Sequence, residues 1–130
     1  MIGESGFRAV LLDWLRGDTA LMALVHAIQD EGALRATPPS VAIRDSQSAE
    51  WGVKLRQGRE IRFVLEADER GEDSDRLAAI VAALEARIVA MPASQNGFDL
   101  VGLTQLRSRT RRRDSGWQTL LEYRARILAH

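Results

Sequence analysis

The last quarter of the chain places the strongest constraint on its fold. From Phe98 to Leu128 it reads as two long strands separated by one turn signal, Arg113, Asp114, Ser115 and Gly116, a tight hairpin connection. In the second strand Trp117, Thr119, Leu121, Tyr123, Ala125 and Ile127 share one face, and Gln118, Leu120, Glu122, Arg124, Arg126 and Leu128 share the other. In the first, simple alternation sets Phe98, Leu100, Thr104 and Leu106 opposite Asp99, Val101, Leu103, Gln105, Arg107, Arg109 and Arg111. A sheet with one apolar and one charged face needs cover on the apolar side alone.

Helical stripes supply that cover. Phe7, Val10, Leu11, Trp14 and Leu15 recur at three-and-four spacing over about Glu4 to Arg16, and Gly17 stops the helix. Asp18 is a good N-cap for a second short helix running through Leu21, Met22, Leu24, Val25 and Ile28. The clearest helix carries Leu77, Ile80, Val81, Leu84 and Ile88, with Asp73 or Ser74 as its cap and Met91 and Pro92 at its end; Leu84 should be buried against the sheet. Gly32, Pro38 and Pro39 predict an irregular crossing into a short strand at Val41, Ala42 and Ile43. Residues Ser46 to Gly58 are mostly polar, a hairpin loop or extended arm that exposes Trp51. Glu60 to Ala67 alternates Ile61, Phe63 and Leu65 against Arg62, Val64 and Glu66, as a half-buried antiparallel strand does. The expected order is ααββαββ, one α+β domain over residues 1–130. A mainly antiparallel four-stranded sheet carries helices on one face.

Composition narrows the chemistry. With no cysteine, the chain has no disulfide, thiol nucleophile or thiolate metal site. Only His26 and His130 are available for imidazole chemistry, and His130 is the last residue. There is no Gly-rich phosphate loop and no nucleophile motif, so no enzyme activity and no cofactor is expected. No apolar run approaches the roughly 20 residues of a membrane helix, and the start lacks a secretion signal. The protein is expected in the cytoplasm when made, without a membrane partner.

Formal net charge is zero, but the charges are segregated. Between Glu66 and Asp75 stand six acids, Glu66, Asp68, Glu69, Glu72, Asp73 and Asp75, against Arg70 alone. From Gln95 onward stand seven arginines, Arg107, Arg109, Arg111, Arg112, Arg113, Arg124 and Arg126, against Asp99, Asp114 and Glu122. The acids read as a solvated turn and helix cap, or as oxygen ligands for a hard cation such as magnesium. Three readings of the arginine face stay open: an outer sheet face balanced by Glu60, Glu66 and Glu122, a surface pairing with acids of a neighbouring subunit, or a nucleic-acid track. Trp51, Arg62 and the hairpin tip near Arg111 complete the set of residues expected to touch partners.

The whole pattern resembles a known family, the tail-completion or tail-terminator proteins of phages, prophages and gene transfer agents. The resemblance rests on the start Phe7-Arg-Ala-Val-Leu-Leu-Asp-Trp-Leu-Arg-Gly-Asp-Thr-Ala-Leu-Met-Ala-Leu-Val25, followed by a Pro-containing stretch into Val41-Ala-Ile43. It continues through Ile61-Arg-Phe-Val-Leu-Glu66, the helix start Asp73-Ser-Asp-Arg-Leu-Ala-Ala-Ile80 and the ending Tyr123-Arg-Ala-Arg-Ile127. The resemblance implies a homo-hexameric ring on the last ring of tail tube protein, offering a surface to the head-tail connector while DNA passes through its channel without sequence specificity. Such a protein is assembled in the bacterial cytoplasm and ends in a virion-like particle at the tail-head junction. The competing class is a small basic adaptor that binds nucleic acid through the arginine face. A closed ring and a monomeric module differ in mass.

Overall fold

The computed structural model describes residues 3–30 and 36–130. Helix α1 spans Glu4–Arg16 and turns Phe7, Leu11 and Leu15 inward, as its spacing requires. After Gly17, the Asp18 carboxylate accepts from the Ala20 and Leu21 backbone N–H groups at 3.1 and 3.2 Å and so caps α2. Helix α2 is one turn, Thr19–Met22, and does not run on to Ile28. Ala27–Asp30 is instead a strand, β1, paired in parallel with Ser40–Ile43 of β2 (Ser40–Val53). Leu21, Val25 and Ile28 have helical spacing and are all buried, but the backbone at Ile28 bonds to a neighbouring strand. Periodicity cannot separate the two over so short a run. The crossing reaches Ser40 through Ala36–Pro39, where the Pro38–Pro39 bond is cis and His26 N–H donates to the Pro39 carbonyl; Gly32 lies outside the described residues.

The polar segment Ser46–Gly58 is an arm built of strand. β2 continues to Val53, Lys54 and Leu55 make the turn, and β3 runs over Arg56–Arg70 in register from Val53↔Arg56 inward. Backbone pairing holds it although its side chains carry little apolar signal. Helix α3, Asp75–Val89, buries Leu77, Ile80, Leu84 and Ile88. Ser74 is its N-cap without a side-chain bond; Asp73 accepts from the Asp75 N–H at 2.8 Å instead. β4, Phe98–Arg113, and β5, Gly116–Ala129, complete a mixed five-stranded sheet of order β1-β2-β3-β5-β4. The fold is α+β with element order ααβββαββ. The expected four-stranded, ααββαββ arrangement is corrected by the extra parallel strand β1.

The helices cover the face that carries Ile61, Phe63, Leu65, Leu121, Tyr123 and Ile127. Phe63 lies at the centre, its ring 5.6 Å from Phe7 and stacked at 5.4 Å on Tyr123. α1 and α3 are clasped by Trp14 and Arg87, whose side chains each donate to the other's backbone carbonyl, at 2.7 and 2.8 Å. The Arg87 guanidinium also lies 3.4 Å from the centre of the Trp14 ring.

Two bulges in β4 change the alternation read from sequence. Register shifts between Leu100 and Gly102 and between Gln105 and Arg107 leave Val101 and Leu106 unpaired. Leu103 and Gln105 therefore oppose Ala125 and Tyr123 on the helix side, and Thr104 opposes Arg124 on the open side. The second bulge returns Arg107, Arg109 and Arg111 to the open side, opposite Glu122, Leu120 and Gln118.

Candidate functional site

The helix-free face of the sheet gathers most of the charged residues singled out in the sequence. Glu60 sits between two arginines, 3.7 Å from Arg62 and 3.4 Å from Arg126. Arg107 pairs with Glu122 at 3.1 Å, directly across the β4–β5 ladder. Glu66, buried, takes Arg44 at 2.5 Å. Gln118, only 1% exposed, joins the two signs. Its amide nitrogen donates to Glu66 and Asp68 at 2.5 and 3.0 Å, while its carbonyl oxygen accepts from Arg111 and Arg113 at 3.0 and 3.2 Å. The end of the acidic block on β3 and the tip of the arginine hairpin thus meet within one subunit.

Several side chains singled out from sequence sit elsewhere. Trp51, by contrast, lies on the charged face, half-buried and not openly exposed, with the Arg126 guanidinium 5.2 Å from its ring centre. Arg112 is turned to the helix side, 5.5 Å from Trp117, whose indole donates to the Glu72 carbonyl at 2.8 Å. Glu69 is buried beneath the start of α3, where Arg76 approaches it at 3.4 Å. Glu72 and Asp73 are exposed. Among the described residues no three metal-ligating side chains are gathered, and no helix is long and apolar enough to cross a membrane. Among them, too, Arg109 and Arg124 have no acidic partner within ion-pair distance.

Sequence reasoning missed Gln118 and Arg44, because their importance comes from what stands opposite them in the ladders. It also missed Arg56, which binds the Ala129 and Leu128 carbonyls and Asp99 and so fastens the end of β5 to the arm. Hydrogen bonds from His130 and then Arg56 hold the Asp99 carboxyl below its usual range.

On the covered face, burial first and the nearby Glu85 carboxylate second push the Tyr123 hydroxyl up to about 12. The fold therefore favours the protonated phenol. That contribution is fully present below the unfolded value of about 10 and is lost as pH rises through the folded value. Denaturant midpoints measured across this window should fall more steeply for the natural chain than for Tyr123→Phe. Parallel curves would show that Tyr123 does not titrate this way.

The protein is an α+β domain whose sheet has one face packed by helices and the other lined with charge. The sequence model of a family described as "Tail completion protein gp17" matches residues 9–128, and the chain belongs to that family. It is a structural protein of the phage-like particle class. Among solved structures it is similar to a chain of the "Virion of native gene transfer agent (GTA) particle", with 26% identity, a TM-score of 0.74 and 92% of each chain covered. No curated protein matches.

Proposed function

We propose that this protein closes into a ring of identical subunits that terminates a tail tube and joins it to the head connector, with DNA passing through the channel. The observation that carries the reading is the family match over residues 9–128, supported by the likeness to a chain of a gene transfer agent virion. The sheet edges suit lateral assembly. Among the described residues, β1 covers only Ser40–Ile43, so β2 from Arg44 to Val53 has no second neighbour, and β4 is an open edge beyond its first three residues, which the 93–95 segment bonds. A subunit with two different open sides can repeat head to tail and close. The role is structural, with assembly in the bacterial cytoplasm. Deleting the gene in a particle-producing cell should leave heads unjoined and tubes of uncontrolled length under the electron microscope; joined particles of normal length would contradict the reading.

The arginine face offers the main choice within this proposal. Since Glu66 and Glu69 are spent inside their own subunit, the acids of the block left to meet a neighbour are Asp68, Glu72, Asp73 and Asp75, and the arginines are Arg109 and Arg124. Each exposed pair adds only about 0–1 kcal/mol, but several acting together set register. Reversing Arg107, Arg109 and Arg124 to Glu should abolish rings, measured as particle mass in solution. Matching Glu72 and Asp73 reversals to Arg should restore them. If rings persist and only salt-dependent DNA affinity falls, the arginines face the channel.

A further inference from the structure

Two apolar features are left without a partner inside the subunit. The first is the tip of the β2–β3 arm, where Leu55 is 92% and Val53 54% exposed on either side of Lys54. The second is a groove of ≈ 290 Å³ between the end of α3 and β4, walled by Val89, Met91, Val101 and Leu103. Val89 is 82% exposed there, and the first β4 bulge leaves Val101 unpaired on its edge. Glu85 stands in the groove without a cation, and Lys54 stands on the tip without an acid, among the described residues. Large aliphatic side chains left in water at a turn apex carry a free-energy cost that burial would relieve, and the exposed Val89 and Val101 on the groove wall carry the same cost.

The sheet sets these features in matching positions. The arm lies toward one side of the sheet and the groove at the other, by the order β1-β2-β3-β5-β4. They share one end along the strands, since Trp51 pairs with Gly58, Gly58 with Leu128, and Leu128 with Asp99. A second copy in the same orientation beside the first therefore brings its tip to this groove. We propose that the Val53–Leu55 tip of one copy seats in the α3–β4 groove of the next, with Lys54 against Glu85. The contact is heterologous, so it repeats from copy to copy. It rests on the ring reading above and specifies which surfaces the ring uses.

The chain has no cysteine, so introduced ones report without competition. Leu55→Cys and Val101→Cys are placed together in one chain, and particles from the producing cell are oxidised and separated without reductant. The proposal expects a ladder of linked subunits, because a disulfide forms only when the two Cα atoms come within about 7 Å. It also expects Lys54→Glu to lower incorporation into particles at least tenfold and Glu85→Lys to restore it, with melting temperature unchanged. Chains present in particles as monomers on that gel would overturn the tip-and-groove contact while leaving the ring reading intact. Chains missing from particles even without substitutions would overturn both.

Discussion

Phe63→Ala is expected to lower the stability of the fold by about 3–5 kcal/mol, the range for deleting a large aromatic from a close-packed core. Phe63 is 1% exposed, stands in the middle of β3, and is the ring on which Phe7 from α1 and Tyr123 from β5 both rest. Its removal takes away dispersion contacts from helix and sheet together, and with backbone ladders on both sides of β3 the cavity has little means of collapse. Chemical denaturation followed by circular dichroism reads the loss directly. A change below about 1 kcal/mol would mean that the helices do not pack on this face.

Gly116→Ala should cost about 3 kcal/mol or more, for a reason that is entirely local. A Cβ at this position would stand 2.0 Å from the Glu69 carbonyl oxygen and 2.8 Å from the Arg70 Cα, both backbone atoms of β3. Neither can swing aside as a flexible side chain would, so the start of β5 must move away from β3 and the strain exceeds ordinary overpacking. The same movement pulls Gln118 from Glu66 and Asp68. Gly102→Ala is the control, because its Cβ would meet nothing nearer than the Arg126 Cβ at 3.7 Å. That substitution should be neutral or stabilising by up to about 1 kcal/mol. Equal effects from the two would remove the steric explanation.

Elements whose own side chains carry a long period were legible in the sequence. α1, α3 and β5 follow from Phe7, Leu11 and Leu15, from Leu77 to Ile88, and from Trp117 to Ile127. β1 was not legible, because a four-residue strand at the end of a helical spacing is defined by the neighbour it bonds to, here Ser40–Ile43. The β4 bulges were hidden too: Val101 and Leu106 are apolar residues in an otherwise alternating run, and only the register against β5 shows them to be extra. For the candidate site, the composition of the charged face could be read and its pairing could not. The sequence marks the acids and arginines as opposites but does not show that Gln118 ties Asp68 to Arg111 inside one subunit. Leu55 passed unnoticed in a polar segment, since an apolar residue in a turn gains meaning only when the structure leaves it 92% exposed.

The proposed function requires the chain to form a closed ring where a tail tube meets a head. Imaging purified particles with an antibody fragment bound to this protein tests it most directly, because the label marks both place and number. The account predicts label confined to one level at the tail-head junction, arranged around the tube axis with the symmetry of a closed ring. Label along the tube, at the distal tip or over the capsid, or none on intact particles, would contradict it.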